Sequence, residues 1–401
     1  ESAAIGRALT GRLKKILIVT RNFPPLWGGM ERLNLHMAEE LARVAEVRLV
    51  APEGAEKHVT EALTVIPAPL KPLWRFLCTA GWKALREARA WKPDVVLAGS
   101  GLVAPLAFFA ARACGAKAVA SAHGLDMAAP HPVYRALWLP LMKRLDGLIA
   151  NSRATRQLAE NIGVAPQRIT IVHPGVELSD ADPGARRRFR VVHRLGEGPV
   201  LLSVGRLTTR KGLREFVSEV LPRVVLRFSD VQLVVIGDAP SDSLHAQIQS
   251  IDSILATAKN AGVEKNLRFL GKRFGAELSD AYAGADLHVF PVRHLPNDPE
   301  GFGMVAVEAA ASGLATVAYA TGGVVDAVSE GISGLLVEPG DVKGFAEAVC
   351  TLLRNPLSSV RIRCFAEQFA WSRFGEKLSR VLLGGHDEYF QRPQANATDT
   401  L

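Results

Sequence analysis

Ordered structure is expected to begin with the stretch Lys15-Ile16-Leu17-Ile18-Val19-Thr20, a continuous apolar run typical of a parallel strand that is buried on both faces. The loop after it contains the paired glycines Gly28 and Gly29, and an amphipathic helix extends from there to about Ala42. A strand, a glycine turn and a helix make a βα unit whose helix start can bind phosphate. This first unit therefore predicts both the type of fold and a phosphate-capable turn.

Similar apolar runs recur along the chain between helical stretches. They are residues 47–51, 94–98, 117–121 and 147–150 in the first half, and residues 200–204, 233–236, 267–271 and 287–290 in the second. This alternation predicts an α/β fold with doubly wound parallel sheets. Because 401 residues are too many for one ordinary core, we expect two such domains. Ligands of these sheets bind beyond the carboxyl ends of the strands, where candidate residues are sought.

Composition argues against several classes of protein. The net charge of +8 favours anionic partners, but only 6% of the residues are aromatic and no basic stretch interleaved with aromatics offers a platform for bases, so we predict no nucleic-acid partner. The four cysteines form no Cys-x-x-Cys pair and no histidines are spaced His-x-x-x-His, so we predict no disulfide framework, no metal and no cofactor. Neither a membrane-spanning run nor a signal-peptide pattern is present, and we expect a cytoplasmic protein.

The stretch Asn297-Asp298-Pro299-Glu300-Gly301-Phe302-Gly303 precedes an alanine-rich helix that is expected to start at Met304. Its two glycines let the backbone approach a ligand, and the first amides of a helix carry about half a positive charge, which suits phosphate. Glu300 stands just ahead of these amides, and Glu308 lies about two turns inside the helix. Because carboxylates repel phosphate, we assign both to hydroxyl groups. Such a combination describes a sugar-nucleotide site; the alternative is a core helix with Glu308 in solvent.

Glu300 and Glu308 have the spacing of a Glu-x7-Glu motif, and the stretch resembles that motif in the retaining nucleotide-sugar glycosyltransferases of family four. The resemblance implies that Glu300 contacts the donor sugar and that Glu308 holds the ribose. It implies that the following residues lie along the sugar and diphosphate: Gly301, Phe302, Gly303, Met304 and Val305. In the family's opening loop, paired glycines approach the same diphosphate. The resemblance gives this role to Gly28 and Gly29, with a plain tight turn as the alternative.

Two cations follow the apolar run at residues 200–204, one on each side of a turn. Arg206 and Lys211 could stabilise the charge that gathers on a nucleoside diphosphate as its bond to the sugar breaks. They resemble, in sequence and order, the family motif in which Gly-Arg is followed by Lys-Gly. We therefore predict that both contact the diphosphate, whereas Arg210 is expected to face solvent.

His123 follows the run at residues 117–121, where a ligand of the sheet would lie. With Gly124 it resembles the family's His-Gly element, which faces the donor sugar and the acceptor, so we predict a binding or polarising role for His123; a structural histidine is the alternative. Two nearby patterns are assigned no chemistry. Residues 99–104 match Gly-x-Gly-x-x-Ala but lack the acidic residue that should follow, and Asn151-Ser152 is typical of a helix cap.

Residues 70–91 combine aromatic and cationic side chains on a predicted helix. They include Lys71, Trp74, Arg75, Trp82, Lys83, Arg86, Arg89 and Trp91. This composition suits a segment that contacts an anionic membrane, which would place the protein at the inner face of the membrane. The alternative is a domain helix with its tryptophans in the core.

The resemblance covers nearly the whole chain and implies the GT-B fold, in which two Rossmann-like domains face each other across a cleft. We predict an N-terminal tail at residues 1–14, an acceptor domain at 15–178, a polar linker at 179–198 and a donor domain at 199–371. A closing helix at about 372–390 is expected to return to the first domain, followed by a tail at 391–401.

These expectations together predict a retaining, metal-independent glycosyltransferase. It would move a sugar from a GDP- or UDP-sugar donor to a hydroxyl of a glycan or lipid-linked acceptor, in cell-surface polysaccharide or glycolipid synthesis. The alternatives are a sugar-nucleotide epimerase of the same fold and a non-catalytic sugar-nucleotide-binding protein.

Overall fold

A computed structural model describes residues 12–128, 131–178, 182–239, 248–295 and 298–384. Two parallel sheets are present in this part of the chain, one in each half. Residues 1–11 of the predicted N-terminal tail, residues 179–181 of the predicted linker, Asn297 of the quoted stretch, residues 385–390 of the predicted closing helix and the predicted tail at 391–401 lie outside it.

The first sheet has seven strands within the described residues, in the order β3-β2-β1-β4-β5-β6-β7. The strands are β1 at Lys15–Val19, β2 at Glu46–Pro52, β3 at Leu63–Ala68, β4 at Val95–Ala98, β5 at Lys117–Ala122, β6 at Gly147–Ala150 and β7 at Ile169–Ile171. Its helices are α1 at Gly29–Ala42, α2 at Leu73–Trp91, α3 at Ala104–Arg112, α4 at Leu125–Ala128, α5 at Leu139–Met142 and α6 at Arg153–Asn161.

The second sheet has six described strands, in the order β10-β9-β8-β11-β12-β13. They are β8 at Val200–Val204, β9 at Gln232–Ile236, β10 at Leu267–Gly271, β11 at Leu287–Phe290, β12 at Thr316–Tyr319 and β13 at Gly334–Val337. The helices are α7 at Ala185–Val192, α8 at Leu213–Glu215, α9 at Leu221–Val225, α10 at Ile251–Asn260, α11 at Gly275–Gly284, α12 at Met304–Ala311, α13 at Val324–Ala327, α14 at Val342–Arg354, α15 at Ser359–Glu367 and α16 at Trp371–Leu383.

Strand β1 shows why both faces of the first sheet are covered. Its residues Leu17 and Val19 face a core that includes Ala80 of α2, because alternate side chains of a strand point to opposite faces. Ile16 and Ile18 face the other core, which is built with α1 and α16. Strands that bury both faces must be apolar throughout, which is the pattern read from the sequence. The prediction of a doubly wound α/β fold with two domains is confirmed.

The chain crosses between the domains at two neighbouring places. The Val176 amide donates a hydrogen bond of 2.7 Å to the carbonyl of Phe369, and Trp371 packs directly against Gly175. From this crossing α16 lies on the first domain, with Phe374 and Leu378 buried beside α1. The end of the second half of the chain therefore completes the core of the first domain.

The predicted linker is wrong for residues 185–192. This basic segment forms α7, and its Phe189 is buried in a core cluster of the second domain. Arg190 is also buried, because its guanidinium bonds Asp286 at 2.6 Å and the carbonyls of Gly196 and Gly198 at 3.0 Å each. Arg186 and Arg188, which made the segment look like a solvated connection, likewise pair with Asp286 and Asp280 of the second domain.

Candidate active site

The loop ahead of α12 is held by main-chain contacts to the loop after β12. The Gly323 amide donates to the carbonyl of Glu300 at 2.9 Å, and a Cβ at Gly323 would lie 2.0 Å from the carbonyl oxygen of Gly301. Gly303 has a φ of +96°, which glycine tolerates and other residues rarely adopt, and α12 starts at the next residue. These glycines fix where the first amides of the helix lie.

Glu300 is bound by two cations from the loop after β8. Its Oε2 lies 2.8 Å from Nζ of Lys211 and 3.2 Å from Nε of Arg210. Arg210 also bonds Oδ1 of Asp298 at 2.5 Å, and both its side chain and that of Glu300 are only 11% exposed. Burial alone would raise the pKa of Glu300, but the charges of Lys211 and Arg210 outweigh it and lower that pKa to about 2. Glu300 is therefore an ionised carboxylate held in one orientation.

The structure brings the predicted cations to the start of α12. Nζ of Lys211 lies 4.7 Å from the centre of the Phe290 ring, and a Cβ at Gly303 would lie 2.9 Å from the edge of the same ring. Arg206 is exposed in the loop after β8, and its charge acts on both Lys211 and Glu300. Two cations and a helix start thus line one part of the cleft, as a diphosphate site requires.

Glu308 faces the first domain rather than solvent. Its Oε1 pairs with the guanidinium of Arg32, which belongs to α1, and its Oε2 accepts a hydrogen bond of 3.0 Å from the hydroxyl of Tyr282. The carboxylate is 12% exposed and Tyr282 is buried. Burial by itself would lower the pKa of Arg32, but the charge of Glu308 raises it overall. A surface position for Glu308, the alternative left open by the sequence, is ruled out by these contacts.

The first domain supplies the opposite wall of the cleft. A Cβ at Gly301 would lie 2.6 Å from the carbonyl oxygen of His123, and one at Gly29 would lie 3.6 Å from the sulfur of Met304. His123 is buried, and its Nε2 lies 3.0 Å from the carbonyl oxygen of Gly99, to which it can donate a hydrogen bond. Gly28, which precedes Gly29 in the chain, lies beside the Glu31 carboxylate. The predicted residues from both domains therefore meet, although their roles toward a ligand stay predictions.

Several residues of this site were not found from the sequence. Arg210 was expected in solvent, but its side chain is only 11% exposed and pairs with Asp298 and Glu300, so that expectation is wrong. Arg32 and Tyr282 were not singled out, because their link to Glu308 depends on how distant elements pack. For Arg32 the only available signal was its position in the first turns of α1, close to the paired glycines. In contrast, the helix-cap reading of Asn151-Ser152 is confirmed: the Ser152 hydroxyl accepts from the Thr155 amide.

Family comparisons cover most of the chain. Residues 27–180 match the family described as Glycosyltransferase Family 4, and residues 198–355 match the family described as Glycosyl transferases group 1. These two ranges contain all the predicted site residues.

Curated relatives extend the similarity over the full length. The chain is 28% identical over 385 residues to the GDP-mannose-dependent alpha-(1-6)-phosphatidylinositol monomannoside mannosyltransferase of Mycolicibacterium smegmatis, covering 92% of this chain and 98% of that protein. It is 34% identical over 314 residues to D-inositol 3-phosphate glycosyltransferase 1 of Catenulispora acidiphila, covering 72% of this chain and 71% of that protein.

Solved structures share the fold. Alr3699/HepE of Anabaena, in complex with UDP, superimposes with a TM-score of 0.76 at 21% identity, over 92% of this chain and 99% of that chain. WaaG, a glycosyltransferase involved in lipopolysaccharide biosynthesis, superimposes with a TM-score of 0.68 at 20% identity, over 92% and 100%. Both halves of the chain match glycosyltransferase families, and the alignment with the relative of 34% identity spans 71% of that protein. The chain therefore belongs to glycosyltransferase family 4 and is a nucleotide-sugar-dependent enzyme of GT-B fold.

Proposed function

We propose that the enzyme transfers a sugar from a GDP- or UDP-sugar to a hydroxyl of a glycan or lipid-linked acceptor, with retention of the anomeric configuration and without a metal. The observation that carries this proposal is the cluster of Lys211, Arg210 and Glu300 at the start of α12. This cluster supports the proposal because its cations suit a diphosphate and its ionised carboxylate suits the hydroxyls of a sugar. Family membership favours transfer over the epimerase alternative.

In the proposed chemistry, the negative charge of the leaving diphosphate is stabilised by Lys211, Arg206 and the amides at the start of α12. As the bond from the sugar to the diphosphate breaks, negative charge builds on the phosphate oxygen, and these groups stabilise it more than they stabilise the intact donor. The departing phosphate oxygen then accepts the proton of the acceptor hydroxyl as that hydroxyl attacks from the same face. In this scheme Glu300 forms no covalent bond to the sugar. Its contacts with Lys211 and Arg210 orient its carboxylate so that it can accept hydrogen bonds from the hydroxyls of the donor sugar.

A lipid-linked acceptor is supported by the surface of the first domain. In α2, Trp74 and Trp82 are 67% and 57% exposed, and Arg75, Arg86 and Arg89 are exposed on the same helix. The guanidinium of Arg86 lies 5.5 Å from the Trp82 ring. Trp91, by contrast, packs with Lys15 and Arg48. We therefore propose that α2 contacts an anionic membrane at the inner face. The described part of the chain contains no helix long and apolar enough to cross a bilayer.

The names of two relatives support a ring-shaped acceptor. One is named for phosphatidylinositol monomannoside, which contains a lipid, and the other for D-inositol 3-phosphate, so both names refer to an inositol ring that carries phosphate. We propose an acceptor that presents a ring with several hydroxyl groups, joined to a lipid or to another sugar, and a role in cell-surface polysaccharide or glycolipid synthesis.

Donor binding is tested first, by thermal stabilisation of the full chain with a panel of nucleotide sugars and the free nucleotides. We expect a GDP- or UDP-sugar to raise the melting temperature. Each stabilising donor is then incubated with acceptor extracts, and the released nucleoside diphosphate is measured with and without a metal chelator. Release that depends on acceptor and persists with chelator supports the proposal. Conversion of the donor to a sugar isomer without acceptor, or no stabilisation by any donor, contradicts it.

A further inference from the structure

Asn151 follows strand β6 directly, one residue before the serine that caps α6, and its own side chain does not take part in the cap. Its Oδ1 accepts a hydrogen bond of 2.6 Å from the hydroxyl of Thr155, and that hydroxyl accepts one of 3.2 Å from the hydroxyl of Ser152. A carboxamide has its oxygen on one side and its nitrogen on the other. The contact with Thr155 therefore fixes the orientation of the Asn151 amide and turns Nδ2 away from α6.

The amide nitrogen of Asn151 borders the cleft. A Cβ at Gly301 would lie 2.9 Å from Nδ2, so the amide stands against the backbone of the loop that carries Glu300. No described residue accepts a hydrogen bond from Nδ2, and the atom retains accessible surface, unlike the enclosed Oδ1 of Asn34 in the same domain. Asn151 as a whole is only 8% exposed. A fixed, nearly buried amide thus offers its N–H donors to the cleft alone.

The main chain of Asn151 is held against the same loop. Its carbonyl accepts a hydrogen bond of 3.1 Å from Nδ1 of His173. The His173 ring stacks on Phe302, the residue after Gly301, with 5.3 Å between the ring centres and 19° between the planes. Both the backbone and the side chain of Asn151 are therefore positioned relative to the loop ahead of α12, and a ligand between them would meet a preorganised donor.

A contact between the domains brings this part of the first domain to the loop. The main-chain amide of Arg153, two residues after Asn151, donates a hydrogen bond of 2.6 Å to Oδ2 of Asp326 in α13. The Arg153 guanidinium pairs with the other oxygen of that carboxylate, whose side chain is only 2% exposed. The first turn of α6 is thus bound to the second domain. Closure of the cleft therefore carries the Asn151 amide to its place beside Gly301.

The chemistry of this place suits the hydroxyl groups of a sugar. Glu300 is an ionised carboxylate and only accepts hydrogen bonds, whereas Nδ2 of Asn151 only donates them. A sugar hydroxyl does both, so one hydroxyl can donate to Glu300 while a neighbouring oxygen accepts from Asn151. A neutral amide is a weaker partner for phosphate than the cations Arg206 and Lys211. The amide therefore matches the sugar better than it matches the diphosphate.

We propose that Asn151 is a sugar-recognising residue, whose Nδ2 donates a hydrogen bond from the first domain to a hydroxyl of the donor sugar when the cleft is closed. This inference rests on the proposed function, which supplies the nucleotide sugar, and it adds a residue that selects the sugar. Asn151 makes and breaks no covalent bond; it holds the sugar from the side opposite Glu300.

The test compares a nucleotide sugar with its free nucleotide by calorimetry on the full chain. The probes are GDP-mannose and UDP-glucose, with GDP and UDP as references. Asn151→Ala removes the amide, and we expect it to bind the nucleotide sugar about tenfold more weakly than the wild type does. GDP and UDP are expected to bind both proteins equally, because they lack the sugar that the amide contacts.

Two further variants separate ligand binding from a structural role. Thr155→Val deletes the same hydrogen bond between Thr155 and Asn151 but keeps the amide, so we expect it to weaken nucleotide-sugar binding by about threefold at most. Asn161→Ala is the matched asparagine control. Its Oδ1 accepts a hydrogen bond of 3.0 Å from Gln157 at the far end of α6, and we expect wild-type affinity for every probe.

The outcomes distinguish the two levels of proposal. Wild-type protein that binds neither nucleotide sugar overturns the proposed function together with this inference. Nucleotide-sugar affinity that Asn151→Ala leaves unchanged overturns the inference alone. An equal loss of affinity for GDP or UDP does the same, because the amide then acts on the phosphates. A loss in Thr155→Val as large as that in Asn151→Ala also overturns it, since the broken hydrogen bond then explains the effect.

Discussion

Arg32 in the first domain and Glu308 in the second form an ion pair across the cleft, at the carboxylate that is predicted to hold the ribose of the donor. Tyr282 occupies the other oxygen of Glu308. A ribose that bonds Glu308 through two hydroxyls would therefore compete with these partners for the carboxylate. Arg32 is the one with access to solvent, since its side chain is 38% exposed and Tyr282 is buried.

Replacing Arg32 tests this competition. Arg32→Met keeps most of the aliphatic stem and removes the charge, so the nucleotide no longer displaces an ion pair. We expect GDP or UDP to bind about fivefold more tightly in calorimetry, which corresponds to roughly 1 kcal/mol. Arg153→Met is the control, because it breaks a different ion pair between the domains, with Asp326. Equal effects of the two variants would show that domain contact, not competition at Glu308, controls affinity.

Removing the carboxylate tests the ribose role itself. Glu308→Ala is expected to weaken nucleotide binding about tenfold in calorimetry, because the ribose loses its hydrogen-bond acceptor. Tyr282→Phe should have a smaller effect of the opposite sign, since it frees one oxygen of Glu308 for the ribose without removing the carboxylate. An unchanged dissociation constant for Glu308→Ala would remove Glu308 from the donor site.

The cations of the loop after β8 are tested by turnover. Arg206→Ala and Lys211→Ala should each lower kcat about a hundredfold, by analogy with the loss of one donor to a developing negative charge. Arg206 gives the cleaner measurement, because Lys211→Ala also leaves Glu300 without its closest cation. Arg214→Ala is the matched control in the same segment, where Arg214 is bonded to Glu215. Near-normal turnover in both site variants would contradict the leaving-group assignment.

The lowered pKa of Glu300 predicts that the stability of the folded protein depends on pH. Its pKa falls from the usual 4.5 to about 2 in the folded protein, so the unfolded chain binds the proton more readily. The stabilisation is complete above about pH 4.5 and is lost as the pH falls toward 2. Glu300→Gln should therefore melt with less change of midpoint between pH 5 and about 2 than the wild type. Parallel curves for the two proteins would indicate that Glu300 is not held as an ion.

Membrane contact through α2 is tested with lipid vesicles. The wild type should sediment with vesicles that contain anionic phospholipid and much less with neutral ones, and added salt should weaken the binding. Trp74→Ala combined with Trp82→Ala should reduce it strongly, because rings at the headgroup boundary are lost. Trp27→Ala is the control, since Trp27 is 61% exposed and lies outside α2. Binding that is equal in all three proteins would contradict the proposal.

The parts of the site that the sequence predicted are those set by local chain geometry. Buried parallel strands have a local apolar pattern, and the loop ahead of α12 was found because Gly301 and Gly303 stand immediately before a helix. Each strand end is followed by its own loop, so Arg206, Lys211 and His123 could be placed beyond the carboxyl ends of the strands from sequence alone.

The remaining contacts depend on packing between distant segments. Glu308 and Arg32 are 276 positions apart, and no periodicity relates them. The directions of adjacent side chains in the short turn Thr209–Lys211 were equally hidden, so Arg210 was expected in solvent although it binds Asp298 and Glu300. Arg186 and Arg190 of α7 failed as a linker signal for the same reason, because their acidic partner Asp286 lies about a hundred positions away.

The contact between Gly301 and His123 is made by main chain on both sides, and so is that between Gly301 and Gly323. Side chains of the first domain can therefore be exchanged while the positions of Glu300 and the start of α12 stay the same. An engineer who wants to redirect this enzyme to a new acceptor would vary side chains of the first domain and leave these backbone contacts intact.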